Sequence, residues 1–277
     1  PGDWRHPVNL VAIGEALAKD VDHRIKAVCV VHNETSTGAM SDVAAVRAVM
    51  DETRHPALFM VDTISSLASI DFRHDEWGVD VTVGGSQKGL MLPPGLGFNA
   101  VSDKALSASL NATLPRAYWN WQDMLDANNN GFFPYTPATN LLYGLREALS
   151  MLLDEGLENV FERHRRLAEA TRCAVATWQL ELLCLDSAAR SHSLTAVQLP
   201  EGVDADAFRA TVLARYNMSL GNGLGRLAGR VFRIGHLGDF NELMLIGTLG
   251  GVEMGLAASG ITHQRGGVTA AMDYLSG

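Results

Sequence analysis

Two charged residues follow apolar segments at positions where α/β proteins bind their ligands. Lys88 stands in the glycine-rich residues 84–89, directly after the apolar run 79–83, and Asp62 ends a second apolar run, 57–61. Each run has the length and composition of a buried strand, and open α/β sheets bind ligands at the carboxyl ends of their strands. A lysine amine can form a Schiff base with an aldehyde, and a carboxylate can pair with a pyridinium nitrogen. The pair therefore predicts a site for pyridoxal 5'-phosphate.

The composition indicates an acidic globular protein. The chain has 277 residues, 47% of them apolar, and a formal net charge of −9. It has no basic cluster, so we expect no nucleic-acid partner, and no apolar stretch approaches the ~20 residues of a membrane span. The cysteines (Cys29, Cys173 and Cys184) are widely spaced and odd in number, which favours a reducing, cytoplasmic location. No His/Cys grouping has metal-ligand spacing, so we expect no metal.

The elements that would position Lys88 and Asp62 alternate between strand and helix. The predicted strands cover residues 27–31, 57–61 and 79–83, and a helix capped by Ser41 runs to about Arg54. Strand, helix and strand at these spacings predict an α/β fold with a mostly parallel sheet. Residues 96–101 are a further strand at hairpin distance.

A second unit is predicted after an aromatic segment. Residues 111–139 carry clustered aromatic side chains among Asn and Pro, which suggests a binding or subunit-contact loop. Leucines at helical spacing then predict helices over 141–153 and 157–179. Alternating strands and helices follow to residue 258. We therefore expect two domains, residues 1–155 and residues 156–277, the second a small α/β domain.

Five segments of the chain resemble class V aminotransferases of pyridoxal phosphate fold type I. They are HNETSTG (32–38), MVDTISSL (60–67), GSQKGLMLPPG (85–95), NLLYGLREAL (140–149) and FRIG (232–235). Their order and spacing agree with that family over nearly the whole chain. The residues within these segments are most similar to those of serine–glyoxylate and alanine–glyoxylate aminotransferases. The resemblance implies a fold type I architecture, with part of a large cofactor-binding domain and a small C-terminal domain.

The resemblance implies catalytic roles for the two charged residues and cofactor contacts around them. Lys88 would be the Schiff-base lysine and proton shuttle, and Asp62 would keep the pyridine nitrogen protonated. Thr35 would hydrogen-bond the ring hydroxyl, Ile64 would pack on one ring face, and Gln87 would contact the phosphate. Plain structural readings remain open, since Thr35 could simply end a strand and Ile64 could be ordinary core.

Two further residues complete the site that the resemblance implies. Thr136 would reach the cofactor phosphate of a neighbouring subunit, which implies a homodimer or homotetramer. Arg233 would pair with the substrate carboxylate in a bidentate geometry that lysine cannot copy. It could equally be a surface charge at a strand end.

The implied reaction moves the amino group of L-serine to glyoxylate and gives hydroxypyruvate and glycine. Alanine is the rival donor, because a pocket separates a methyl from a hydroxymethyl group only modestly. Cysteine desulfurases share the fold, but they need a reactive cysteine on a mobile loop. Cys173 and Cys184 fall in or beside a predicted helix, and Gln87 stands where that group usually has a histidine.

The start of the chain gives a further expectation. It opens at Pro1 without an initiator Met, and the resemblance implies that it begins after an N-terminal arm, a Gly-rich phosphate-binding turn and an aromatic residue stacked on the ring. We therefore expect an N-terminally truncated enzyme whose chain binds the cofactor weakly on its own. An inactive remnant of such an enzyme is the non-enzymatic alternative.

Overall fold

Two four-stranded sheets with packed helices make up most of the computed structural model, which describes residues 2–277. The strands are β1 (Ala27–Val31), β2 (Asn33–Glu34), β3 (Ala39–Met40), β4 (Leu58–Asp62), β5 (Val81–Gly85), β6 (Gly97–Val101), β7 (Glu181–Leu182), β8 (Leu194–Gln198), β9 (Gly221–Asn222) and β10 (Val231–Gly235). The helices are α1 (Leu10–Lys19), α2 (Val43–Glu52), α3 (Asp103–Leu110), α4 (Trp121–Asn128), α5 (Thr139–Glu155), α6 (Leu157–Thr177), α7 (Ala205–Tyr216), α8 (Glu242–Ala258) and α9 (Gly267–Ser276).

The first sheet has the order β1-β4-β5-β6 and is mostly parallel, as the sequence predicts. Strand β6 pairs antiparallel with β5, which confirms the expected hairpin. Strand β5 begins two residues later than expected, because the side chain of Asp80 accepts hydrogen bonds from two neighbouring segments. One carboxylate oxygen of Asp80 accepts a hydrogen bond from the amide of Phe59 at 2.8 Å, and the other accepts one from the Ser102 hydroxyl at 2.7 Å.

Helices α1 and α2 cover one face of this sheet. Val30, Phe59 and Val61 of the strands are buried there against Val46 and Met50 of α2. Burying this face stabilises the sheet through the hydrophobic effect. The opposite face is more open, which leaves room beside the strand ends.

The cap of α2 differs from the sequence-based expectation. Asp42 is the N-cap, and its carboxylate accepts a hydrogen bond from the amide of Ala45 at 2.8 Å. The Ser41 hydroxyl instead accepts a bond from the amide of Val8 at 3.3 Å. The predicted cap at Ser41 was therefore wrong by one residue, although both residue types suit an N-cap.

The second sheet is antiparallel, in the order β7-β8-β10-β9. Its main core holds Trp178, Phe208, Phe232 and Leu249, all essentially buried. Helices α6, α7 and α8 confirm the expected alternation. Helix α9 was not predicted, although it packs closely along α6.

The aromatic segment contains the short helix α4, whose residues are all at least partly exposed. With no buried face, α4 has no core-facing periodicity, which explains why the sequence predicts only a loop there. Within residues 2–277 no helix combines the length and apolar character needed to cross a membrane.

The loop that follows β1 joins the two sheets. Its Asn33 amide donates a hydrogen bond to the Ser193 hydroxyl at 2.9 Å, and the Gly38 carbonyl accepts one from the amide of Ser191 at 2.8 Å. Because this loop also contains Thr35, the contacts fix the position of a predicted site residue relative to the second sheet.

Candidate active site

Asp62 lies at the carboxyl end of β4, between two neighbouring strands of the first sheet. Its register partners are Val31 on β1 and Val83 on β5, whose side chains are 39% and 37% exposed. One carboxylate oxygen of Asp62, Oδ1, accepts a hydrogen bond from the amide of Ile64 at 2.8 Å. Within residues 2–277, Oδ2 has no hydrogen-bond or ion-pair partner. The carboxylate is thus oriented by the backbone and still has an oxygen available to a ligand.

Lys88 lies in the turn between β5 and β6, which Ser86 organises. The Ser86 hydroxyl is buried, donates to the carbonyl of Pro93 at 2.8 Å and accepts from the amide of Leu96 at 3.1 Å. The Lys88 carbonyl accepts from the amide of Met91 at 2.9 Å. Met91 has φ +61°, a conformation that non-glycine residues rarely adopt, so the surrounding contacts must enforce it.

Gly89 brings this turn against the turn that follows Asp62. A Cβ atom at Gly89 would lie 2.1 Å from the carbonyl oxygen of Leu67 and 2.5 Å from the Ser69 hydroxyl. Only glycine permits so close an approach of two backbone segments. The contact places Lys88 beside the segment that carries Asp62. Within residues 2–277, Lys88 Nζ has no hydrogen-bond or ion-pair partner, and its side chain is half-buried.

Ile64 and Gln87 meet over the bare backbone of Gly85. A Cβ atom there would lie 3.0 Å from Ile64 Cδ1 and 3.0 Å from Gln87 Oε1. Ile64 is only partly buried, so it is not ordinary core, and Gln87 is exposed. The side chains of Ile64 and Gln87 thus both lie against Gly85.

The side chain of Thr35 enters a hydroxyl network centred on Ser65. Thr35 Oγ1 donates to Ser65 Oγ at 3.0 Å, and Ser65 Oγ donates to the carbonyl of Asn33 at 2.8 Å. Sequence reasoning missed Ser65, which is buried. Its only signal was a pair of serines shortly after Asp62, in the loop that follows the strand.

Arg233 of β10 reaches across to the first half of the chain. Its Nη1 donates to the carbonyl of Thr35 at 2.9 Å, and its Nε donates to the carbonyl of Asn222 at 2.8 Å. Burial lowers the pKa of Arg233, and Arg209 lowers it further, while Glu34 opposes the shift. Within residues 2–277, Nη2 has no partner. A half-buried guanidinium with free N–H groups is suited to an anionic ligand and is not a plain surface charge.

Thr136 lies in the exposed 111–139 segment and not in the turns that carry Asp62 and Lys88. It is exposed and lines a cavity of about 740 Å³ together with aromatic side chains of the 111–139 segment. The structure brings Ile64 and Gln87 together at Gly85, sets the Lys88 turn against the turn after Asp62, and joins the Thr35 carbonyl to Arg233 by a direct hydrogen bond. Within residues 2–277, Thr136 makes no hydrogen bond to any of these residues.

Comparison with known proteins identifies the family. A family model described as aminotransferase class-V matches residues 10–226. The chain belongs to the class V aminotransferases. It is 50% identical to a serine–glyoxylate aminotransferase of Methylorubrum extorquens, over 99% of this chain and 69% of that protein. It is 45% identical to an L-aspartate–glyoxylate aminotransferase of Paracoccus denitrificans, over 98% of this chain and 69% of that protein.

A solved structure supports the same family assignment. Pyridoxamine–pyruvate aminotransferase from Mesorhizobium loti superposes with a TM-score of 0.90 at 30% identity, covering 99% of this chain and 70% of that one. The α/β fold is therefore that of class V, fold type I aminotransferases. The chain spans about 69% of the length of the curated relatives it matches.

The donor set fits the cofactor that this family uses. When bound, pyridoxal phosphate supplies an aldehyde that reacts with amines and a ring that takes up the electron pair left on a substrate carbon. Within residues 2–277 this chain offers an unpartnered amine on Lys88, an unpartnered carboxylate oxygen on Asp62 and the apolar side chain of Ile64, which lies against Gly85. Those groups suit an aldehyde, a ring nitrogen and a ring face.

Neither thiol of the C-terminal half suits the cysteine desulfurase alternative. Cys173 lies within α6, and the Cys184 thiol is buried and donates to the carbonyls of Asp186 and Ala189. Burial raises the pKa of both thiols. A nucleophilic cysteine needs the opposite shift, because the thiolate is the reactive form.

We predict that replacing Gly89 by alanine destabilises the protein. The added methyl group would overlap the Leu67 carbonyl, and overpacking of this kind costs about 1–3 kcal/mol of unfolding free energy. Gly97→Ala is the matched control, because a Cβ atom there would meet nothing within 4 Å. Denaturant unfolding measures both variants, and equal stability would contradict the close approach.

Proposed function

We propose that this class V aminotransferase transfers the amino group of L-serine to glyoxylate with pyridoxal 5'-phosphate as its cofactor, giving hydroxypyruvate and glycine. The observation that carries the proposal is the contact of the Lys88 turn with the turn after Asp62. It brings a free amine and a free carboxylate oxygen to one edge of the first sheet. The identity with a serine–glyoxylate aminotransferase, 50%, exceeds that with the aspartate–glyoxylate enzyme, 45%.

Each residue of the proposed site has a defined task. Lys88 Nζ would hold the cofactor aldehyde, and the free amine would serve as the base for the proton on the substrate α carbon. Asp62 Oδ2 keeps the ring nitrogen protonated, since an opposite charge favours the ionised partner. Ile64 packs on the ring, and Gln87 binds the phosphate.

Thr35 and Arg233 orient the cofactor and the substrate. Thr35 Oγ1 already donates to Ser65, so its two lone pairs are free to accept from the ring hydroxyl. Arg233 binds the substrate carboxylate with the N–H groups that Thr35 and Asn222 leave free.

The decisive experiment compares amino donors. With glyoxylate as acceptor, we expect kcat/KM to be highest for L-serine, a few-fold to about tenfold above L-alanine, because one hydroxyl changes pocket affinity modestly. L-Aspartate should be poorer than L-serine, in line with the lower identity to the aspartate–glyoxylate enzyme. Lys88→Ala is the control that measures the transamination rate without the proposed catalytic lysine. A preference for alanine or aspartate would contradict the proposed donor, and no transamination at all would contradict the proposed activity.

The chain is proposed to divide into a cofactor-binding part, residues 1–155, and a small C-terminal domain, residues 156–277. Gly156, with φ +84°, separates α5 from α6 at that point, and the two sheets lie on either side of it in sequence.

A cytoplasmic location is proposed from the unpaired cysteines, which suit a reducing compartment.

The exposed aromatic segment is proposed to be the contact surface of a homodimer, which two such contacts could extend to a homotetramer. Its large apolar side chains include Trp119, which is 85% exposed, and Phe132, which is 71% exposed. Exposed patches of this kind commonly mark interaction sites. A second copy seated there would bring Thr136 to the phosphate site of its neighbour.

We predict that the protein elutes as a dimer or larger assembly when its mass is measured by light scattering. Trp119→Asp combined with Phe132→Asp should shift the population towards monomer, since charge is disfavoured in an interface core. Leu224, exposed elsewhere on the surface, provides the matched control as Leu224→Asp. A monomeric wild-type protein would contradict the proposed assembly.

A further inference from the structure

The Lys88 turn is backed by a loop from the other half of the chain. Gly238, just after β10, has φ +83°, and a Cβ atom there would lie 3.3 Å from Met91 Cγ and 3.9 Å from the carbonyl oxygen of Lys88. The backbone at Gly238 therefore packs directly on the turn. Whatever fixes Gly238 also limits how far that turn can move.

A buried histidine fixes Gly238. The Gly238 amide donates to Nε2 of His164 at 3.0 Å, and Nδ1 of the same ring lies 2.7 Å from the carbonyl oxygen of Val160. A backbone N–H can only donate and a carbonyl can only accept. The ring must therefore be neutral, with its proton on Nδ1. Burial agrees with this state, since it lowers the pKa of His164 to about 4.

The neighbouring Arg163 completes the clamp. Its Nη1 donates to the carbonyls of Gly238 at 2.8 Å and Phe240 at 3.0 Å. Its Nε and Nη2 form a two-point ion pair with Glu155, at 2.7 Å and 2.9 Å. The N–H of Gly238 is thus bound by His164 and its carbonyl by Arg163, and both of these residues lie near the start of α6.

The same corner supports the Lys88 turn through apolar contacts. Leu90, two residues after Lys88, is buried in a cluster with Leu152 of α5 and Val160 of α6. Val160 is also the residue whose carbonyl orients the His164 ring. The residues around the junction of α5 and α6 thus contact the Lys88 turn in two ways, directly through Leu90 and indirectly through Gly238.

We propose, resting on the function proposed above for Lys88, that His164 is a positioning residue for that lysine. Its imidazole carries a hydrogen-bond chain from Val160 to Gly238, and Gly238 holds the Lys88 turn in the geometry needed for proton transfer. Arg233 has its own hydrogen bonds to Thr35 and Asn222. Substrate carboxylate binding therefore does not depend on His164.

The test compares His164→Phe with His164→Gln in the full chain loaded with pyridoxal phosphate. Phenylalanine keeps the shape of the ring and removes both polar atoms, whereas glutamine restores an acceptor for the Gly238 amide. We expect His164→Phe to lower kcat about ten- to a hundredfold with KM for glyoxylate changed less than about threefold, because small misplacements of reacting groups cost rate. His164→Gln should recover most of the lost kcat.

Amide hydrogen exchange provides a readout that needs neither cofactor nor activity. In His164→Phe the Gly238 amide and the peptide covering residues 86–92 should exchange about tenfold faster or more, because a hydrogen bond is lost and the turn is released. His55→Phe is the matched control. His55 is a buried histidine that accepts from the amide of Ala57 at 3.2 Å, on α2's side of the first sheet.

Two results would overturn the role of His164. One is a His164→Phe protein with wild-type kcat and wild-type exchange at Gly238 and residues 86–92. The other is a His55→Phe protein that loses kcat to the same extent, which would mean that general destabilisation explains both. Absence of transamination in the wild-type protein would refute the proposed function instead, and the exchange data would still decide whether His164 holds the turn.

Discussion

The site depends on the approach of Gly89 to the carbonyl oxygen of Leu67. A side chain at residue 89 would collide with that oxygen at 2.1 Å, so the close contact exists only because the residue is glycine. The approach fixes the position of the Lys88 turn relative to the turn that follows Asp62 at the end of β4. It also decides that Leu90, the next residue, is directed into the apolar cluster with Leu152 and Val160.

Polar contacts fix the two segments on either side of this close approach, the Lys88 turn and the loop around Ser65. Inside the hairpin, the Ser86 hydroxyl bridges Pro93 and Leu96, so the turn keeps its shape. Around Asp62, the Ser65 hydroxyl links Asn33 and Thr35 and therefore holds the loop that meets Arg233. Buried hydroxyls and amides that are satisfied in this way make a site rigid, because breaking any one leaves a costly unpaired group.

The sequence predicted the parallel strands of the first sheet because they are continuous apolar runs. Asp62 stands at the end of one such run and Lys88 in the glycine-rich turn after another, and this made them visible. Helix α4 was not predictable, because it buries no side chain and so lacks a core-facing stripe. The displaced start of β5 was missed for a related reason, since Asp80 gives its carboxylate to the backbone of Phe59 and that contact leaves no periodic pattern.

The residues that hold the site were harder to predict than those that would perform the chemistry. Ser65, Asn33 and Ser193 meet although they are far apart in the chain, and His164 meets Gly238 from another helix. A single serine or histidine carries no signal of a partner that distant. Only the folded chain shows that these residues share contacts.

The central claim is that Lys88 is the lysine that holds the cofactor. The other lysines have partners: Lys19 pairs with Glu15, Lys26 donates to the carbonyl of His23, and Lys104 pairs with Asp80. The most direct measurement is to incubate the protein with pyridoxal phosphate, reduce it with borohydride and locate the label by peptide mapping. We predict that, at a high concentration of pyridoxal phosphate, most of the label lies on Lys88 and little lies elsewhere. Label spread over the other lysines, or concentrated on Lys104, would contradict the account.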